Sequence, residues 1–219
     1  MKLYKFFYDH ILPPLFRIQE HASWVIWIPI IGDVVKIKQR AIDYLQLKKG
    51  DNVLVYSIGS GFEISLIMER IGKEGSIVGV DFSEGMLKLA QEIVDRNNWN
   101  NVKLVIADVR EYIPLKDFNH KFDATLSNFG YLDDRVLHNL IDAVKPGGHI
   151  SISGPQPLRG VRKIFYPFTF VPEMIFGLTW KKLHEFPAYI SIVKSKLVNV
   201  RIDENTFGRY FVAVSGTKS

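Results

Sequence analysis

The run NVLVYSIGSGF at 52–62 constrains the fold more than any other segment, because a β-branched apolar stretch breaks there into glycines. Such a run, bounded by a glycine turn, is the pattern of a strand buried on both faces of a parallel sheet and feeding a helix. The same rhythm then repeats. A helix is expected over Ile64 to Ile71, a second strand at SIVGVD, and a helix opening at Ser83 with Met86, Leu87, Ala90, Ile93 and Val94 on one stripe. VKLVIAD reads as strand three, KFDATLSN as strand four, Asp133 to Val144 as a helix, and HISISG as strand five after the turn KPGG. Strands alternating with helices predict an α/β domain with a doubly wound parallel sheet. The tail changes period: SKLVNVRID and GRYFVAVSG alternate, with only Glu204 to Phe207 between them, and so predict an antiparallel hairpin. Five parallel strands plus this hairpin give a mixed seven-stranded sheet.

A chain of 219 residues suits one well-cored domain with additions. The expected division is a helical cap over 1–49, a core over 50–154, an aromatic lid or insertion over 155–187, and the hairpin over 188–219. With 47% apolar residues and no repeat, disorder and solenoid architectures are excluded. The absence of cysteine excludes disulfides, thiolate zinc sites, iron-sulfur clusters and cysteine nucleophiles, and points to a reducing compartment. Six scattered histidines form no metal signature, so no metal is expected.

The opening MKLYKFFYDHILPPLF lacks the features of a secretory signal, and the greasy segments Ala22 to Ile31 and Ile164 to Leu178 fall short of the roughly 20 residues a spanning helix needs. A cytoplasmic location is expected, with peripheral contact at the inner membrane face left open. Residues 1–49 carry 8 Lys/Arg against 4 Asp/Glu, residues 50–154 carry 10 against 15, and residues 155–219 carry 10 against 4. Basic flanks that also hold 19 of the 28 aromatics suit an anionic or apolar partner, although solvated faces would read the same way.

In an open parallel sheet, ligands sit outside the carboxyl ends of the strands. Gly59 and Gly61 allow a tight turn there and a close approach to a ligand. Asp81 ends strand two, where a carboxylate can accept two hydrogen bonds from the vicinal hydroxyls of a ribose; capping the next helix is its plainer role, one that Ser83 also fills. Asp108 ends strand three and can accept from an exocyclic amine, with Phe82 and Val109 as apolar walls, or can stand as an exposed loop aspartate. Ile64 occupies the third glycine position of a dinucleotide fingerprint, which disfavours nicotinamide cofactors, and no GK[ST] follows the glycines, which disfavours nucleoside triphosphates.

Taken in order, these segments resemble the class I S-adenosylmethionine-dependent methyltransferases, in the branch of the ubiquinone/menaquinone methyltransferases. VDFSEGML resembles the family's acidic loop, IADVRE its adenine-binding segment, FDATLSNFGYLDD its fourth-strand motif and VKPGGHISIS its turn into strand five, together covering roughly 50–154. The resemblance implies a Rossmann-like methyltransferase fold with S-adenosylmethionine as cofactor. It places Gly59, Ser60 and Gly61 at the methionine moiety, Asp81 at the ribose, Phe82, Met86, Asp108 and Val109 at the adenine, and Asn128 at the amino-acid end. Met86 and Val109 as core, and Asn128 as a loop cap, are the plainer alternatives. Two positions depart from the family pattern: Ser57 stands where the family has an acid, and Glu63 where it has a third glycine. Three readings follow: Glu63 replaces the missing acid and meets the cofactor's ammonium or sulfonium; binding is weak; or transfer activity is lost.

Methyl transfer needs two partners held close in a dry pocket, so no catalytic acid or base is required. The acceptor pocket is expected from FFYDHILPPLF, NFGYLDD and the stretch from Pro155 to Pro187, all aromatic. Tyr8 and Tyr131 are candidates to line it, and His10 or His21 to take a proton; core tyrosines and surface histidines are the plainer readings. A small, apolar or membrane-borne acceptor, a quinol precursor or lipid, is the expectation, with Arg159, Arg162, Lys163, Lys181 and Lys182 beside the greasy 164–178 segment favouring peripheral membrane contact. The alternatives are a binding module of the same fold and an RNA methyltransferase, the latter without a compact Lys/Arg run to support it.

Overall fold

Val53, Leu54, Val55 and Tyr56 are each at most 1% exposed, so β1 (Asn52–Tyr56) is buried on both faces, as its unbroken apolar run requires. The computed structural model describes residues 5–14, 29–118, 121–157, 180–204 and 209–219. Around β1 lie β2 (Ser76–Asp81), β3 (Val102–Ile106), β4 (Phe122–Asn128), β5 (Val144–Pro155), β6 (Leu197–Asp203) and β7 (Phe211–Lys218) in the order β3-β2-β1-β4-β5-β7-β6. The first five are parallel and β7 runs antiparallel to β5, with β6 antiparallel on the edge. The mixed seven-stranded sheet is as expected, with the second strand of the hairpin, not the first, beside β5.

Alternate residues face two different layers, as strand geometry dictates. Val53 and Val55 join a core with α1 (Pro29–Asp43), α2 (Phe62–Ile71) and α3 (Glu84–Arg96). Leu54 and Tyr56 join one on the opposite face with α5 (Asp134–Ala143) and α6 (Trp180–Lys196), while α4 (Pro114–Asp117) is a single turn after β3. In α3 the buried stripe is Met86, Leu87, Leu89, Ala90 and Val94, with Ile93 only half-buried at its border. The turn KPGG does not precede β5 but bulges out of it: Phe122 pairs with Val144 and Ala124 with His149, and the four residues between loop away.

Two expectations about the flanks are corrected. Helix α6 runs through the boundary placed at 187/188 and passes directly into β6, because Phe186, Tyr189 and Val193 form a helical stripe of 7%, 7% and 1% exposure against the sheet. Helix α1 packs on β4, β5 and β7 from the other face, so among the described residues it does not join α6 in one cap. Among the described residues of the N-terminal flank, the segment 5–14, whose residues Phe7–Ile11 form a wide π turn, and Lys38 of α1 reach the mouth of the sheet. The greasy stretches 22–28 and 164–178, His21, and Arg159, Arg162 and Lys163 lie outside the described residues.

Candidate functional site

β1, β2 and β3 step outward in one direction and β4 returns to the other side of β1, which makes the carboxyl ends of β1 and β4 the topological switch point. There the backbone turns sharply. Ser57, Gly59 and Gly61 have φ of 54°, 55° and 83°, the left-handed region that a serine enters only at a cost. A Cβ on Gly61 would come within 2.9 Å of Ala90 Cβ and of Ile64 Cδ1, so this glycine serves the packing of α2 against α3. Gly59 serves the site, because its N–H donates to Asp81 Oδ2 at 2.9 Å and couples the loop to the end of β2.

Asp81 is 5% exposed and also accepts from the Ser83 N–H at 3.0 Å. Burial raises its carboxyl to about 6 against the lowering pull of these backbone N–H groups. The Phe82 N–H adds to the pull of Gly59 and Ser83, so of the about four lone-pair sites of the carboxylate at least one remains for a ribose hydroxyl. Helix capping falls to Ser83, whose Oγ accepts from the Met86 N–H at 3.2 Å.

From Asp81 a cavity of about 620 Å³ opens along the strand ends. On the β2–β3 side Tyr8, Leu12, Phe82, Met86, Ala107 and Val109 form an apolar slot, with the Tyr8 and Phe82 ring centroids 5.4 Å apart. Met86 and Val109 are 4% and 5% exposed, so they are core and cavity wall together. The segment 5–14 is locked there by Asp9, which accepts from Ser83 Oγ at 2.7 Å and from Lys5 Nζ at 2.6 Å. Burial opposes the charge on Asp9, but the hydrogen bonds from Lys5, Ser83 and Gly85 hold its carboxyl below the ordinary carboxylate value. On the β4–β5 side Phe129, Tyr131, Leu132, Pro155, Phe186 and Tyr189 make an aromatic end.

Asp108 lines the cavity, yet both its oxygens are engaged by Arg110, with Nε at 2.9 Å from each. That hydrogen bonding to Arg110 holds its carboxyl below the usual value despite partial burial. Arg110 in turn stacks over the Tyr131 ring at 5.5 Å, joining the β3 end to the aromatic end. Asn128 is 4% exposed; its Oδ1 accepts from Ser153 Oγ at 2.6 Å and its Nδ2 donates to Glu63 Oε1 at 3.3 Å.

Gly59, Ser60, Asp81, Phe82, Met86, Asp108, Val109, Asn128, Tyr8 and Tyr131 thus meet at one cavity. Gly61 and Glu63 are not on its wall: Gly61 packs helices, and Glu63, 2% exposed, is buried behind Lys38 and Asn128. His10 is exposed and stacks on Phe6 at 4.8 Å, outside the cavity, because its helical turn faces Tyr8 and Leu12 inward instead. The sequence reading missed Lys5, Lys38 and Tyr189 on the wall, and took in Leu12, Arg110 and Phe186 only as members of longer segments. For Lys38 a signal existed: it stands at i, i+4, i+7 with Ile42 and Leu45, on the apolar stripe of its helix. Among the described residues no cluster of acids and histidines could hold a metal ion.

A switch-point cavity with a glycine turn, a buried carboxylate and an apolar slot on a doubly wound sheet has the chemistry to receive a nucleoside. The family model of a methyltransferase domain matches residues 47–197, and the chain belongs to that family. A demethylmenaquinone methyltransferase of Listeria welshimeri is 30% identical over 157 residues, which span 69% of this chain and 65% of that protein. The chain therefore covers a little under two thirds of that relative's length. Among solved structures, a SAM-dependent O-methyltransferase of Thermotoga maritima superposes with a TM-score of 0.59 at 15% identity, covering 84% of this chain and 64% of the other. Aeropyrum pernix fibrillarin, solved with natively bound S-adenosyl-L-methionine, does so with a TM-score of 0.58 at 17% identity, covering 84% and 76%. The fold is the class I one, and the cofactor of the family is S-adenosylmethionine. The residues present fit it: the remaining acceptor capacity of the Asp81 carboxylate suits a ribose hydroxyl, and the slot of Tyr8, Phe82, Met86 and Val109 suits a purine.

Proposed function

We propose that the chain is a methyltransferase that uses S-adenosylmethionine to methylate a small, apolar acceptor. The observation that carries this reading is the continuity of one cavity from Asp81 to the aromatic end at Phe186 and Tyr189. Asp81 and the Gly59 turn would hold the ribose and the methionine side, and the Tyr8–Phe82–Met86–Val109 slot the adenine, with Asp108 at its rim under Arg110. Bound there, the cofactor supplies an electrophilic methyl group on a sulfonium sulfur. Phe129, Tyr131, Leu132, Phe186 and Tyr189 would orient a flat apolar acceptor beside it and keep water out, so the protein's contribution is proximity and a dry site rather than an acid or base.

The quinone named in relatives such as the Listeria welshimeri protein suits this pocket, which makes a demethylated quinol the first acceptor to assay. An acceptor dissolved in lipid would also explain Phe6 and Ile11, which are 54% and 44% exposed on the turn at the cavity mouth, next to Lys5. No helix among the described residues is long and apolar enough to cross a membrane, and the exposed Phe6 and Ile11 beside Lys5 suit peripheral contact. Purified protein incubated with labelled S-adenosylmethionine and demethylmenaquinol in anionic vesicles should transfer label to the quinol. Cofactor binding without transfer to any quinol or lipid would favour the binding-module reading, and transfer to RNA would overturn the apolar acceptor.

A further inference from the structure

We infer that Lys38 receives the carboxylate of the cofactor's methionine moiety, held in position by the buried Glu63, and so makes the site select nucleosides that carry an amino-acid tail. The inference rests on the cofactor placement proposed above.

Lys38 Nζ lies 2.9 Å from Glu63 Oε1, and the side chain is 19% exposed on the cavity wall. An ammonium has three donors in tetrahedral array; Glu63 takes one, leaving others for a ligand. Beneath it, the Phe62 ring lies 5.3 Å from Nζ and restricts the swing of the side chain. Behind it, Glu63 is 2% exposed, a burial that a carboxylate tolerates only when paired. Its Oε1 takes both Lys38 and the Asn128 amide, while its Oε2 has no hydrogen-bond partner among the described residues. The Ser153 hydroxyl fixes the Asn128 amide by donating to Oδ1, which turns Nδ2 toward Glu63. The result is a directed ion pair, negative end buried and positive end on the cavity wall.

Position in the fold distinguishes Lys38 from the other cations on the wall. Lys5 is paired with Asp9 on the N-terminal turn beside Phe82, and Arg110 grips Asp108 after β3, both at the adenine side. Lys38 stands beside Asn128 at the β1–β4 switch point, where the Gly59 turn directs the methionine end. The only anionic group of S-adenosylmethionine is its carboxylate, so this is the group a cation there would take. Ser57 and Glu63, the two departures from the family's glycine-loop pattern, then belong to one arrangement: the acid has moved from the strand end to the first turn of α2, and acts through Lys38 rather than on the cofactor directly.

Calorimetry with two ligands tests this: S-adenosylhomocysteine, which has the amino-acid tail, and 5′-methylthioadenosine, which lacks it. Lys38→Met should weaken S-adenosylhomocysteine about 10- to 100-fold, the loss of one hydrogen bond between charged groups, and leave methylthioadenosine within about twofold. Because that variant strands Glu63, Lys38→Met/Glu63→Gln is made alongside and should show the same ratio in a neutral, folded pair. Glu63→Gln alone should lower only S-adenosylhomocysteine affinity, by about 3- to 10-fold, whereas a structural role would lower both ligands together. An unchanged ratio of the two affinities in the double variant overturns the inference. Should Asp81→Ala spare both ligands, the cofactor placement fails and Lys38 with it.

Discussion

Gly85 is the position where helix propensity and the proposed site demand opposite outcomes. It sits in the first turn of α3, where replacing glycine by alanine ordinarily stabilises a helix by about 1 kcal/mol. A Cβ there, however, would lie 2.2 Å from the Asp9 carbonyl oxygen and 2.9 Å from Asp9 Cα, backbone atoms that cannot rotate away. The cheapest escape is for the segment 5–14 to lift off. That forfeits the burial of Leu12, now 2% exposed, worth about 2 kcal/mol, and the Ser83 hydroxyl bond to the Asp9 carboxylate, worth about 1.5 to 3 kcal/mol. Chain entropy regained by the freed turn offsets part of this, leaving an expected net loss of about 1 to 3 kcal/mol. At about 2 to 4 °C per kcal/mol for a chain of this size, Gly85→Ala should lower Tm by several degrees. Cofactor affinity should fall as well, because Tyr8 leaves the adenine slot. Asp9→Ala removes the Ser83 bond but leaves the backbone clash and Leu12 in place, so Asp9→Ala/Gly85→Ala should cost less than the sum of the two single changes, by about the worth of that shared bond. A Gly85→Ala protein with a raised Tm and unaltered affinity would show that the turn is not docked on α3 as described.

Other consequences can be checked independently. The Asp81 carboxyl is raised to about 6 by burial, so between its ordinary value and 6 the native state keeps a proton that the unfolded chain has lost, and its contribution to stability declines as pH rises through that window. Ribose hydroxyls donate to the ionised form, so S-adenosylhomocysteine should bind with proton release near pH 6 and more weakly below it, as calorimetry in buffers of different ionisation enthalpy would show. Arg110→Ala removes a partly exposed pair and should change stability by under about 1 kcal/mol; it should raise the acceptor KM through Tyr131 while cofactor affinity holds, and a tenfold loss of cofactor affinity would contradict that division. Tyr189→Ala empties a buried position and should cost about 3 to 4 kcal/mol in denaturant unfolding, with transfer lost but cofactor binding retained in the folded protein.

The strands and their order of chemistry were legible because buried parallel strands write themselves as apolar runs and because glycines and acids mark their ends: Gly59, Asp81 and Asp108 all reach the cavity. What escaped were residues whose role depends on distant partners. Glu63 follows Gly61 by two residues and reads as a neighbour of the cofactor, but the first helical turn carries it behind the wall, to Lys38 and Asn128. Arg110 is only two residues from Asp108, yet nothing local says that it will grip that carboxylate and cover Tyr131. His10 and Tyr8 lie two apart on a helical turn, so one faces in and the other out; composition alone could not choose between them. Helix α6 crosses the boundary expected between 187 and 188 because its apolar stripe, Phe186, Tyr189 and Val193, spans Pro187, and it is the spacing of that stripe that carries the helix through the proline.

The account depends most on Asp81 as the ribose anchor. Titration of S-adenosylhomocysteine into the wild-type protein and into a folded Asp81→Ala variant tests it directly. The account predicts a defined one-site affinity for the wild type and a loss of at least about tenfold in the variant, since each hydrogen bond from a hydroxyl to the carboxylate contributes about 1.5 to 3 kcal/mol. Equal affinities for the two proteins would place the cofactor elsewhere and contradict the account.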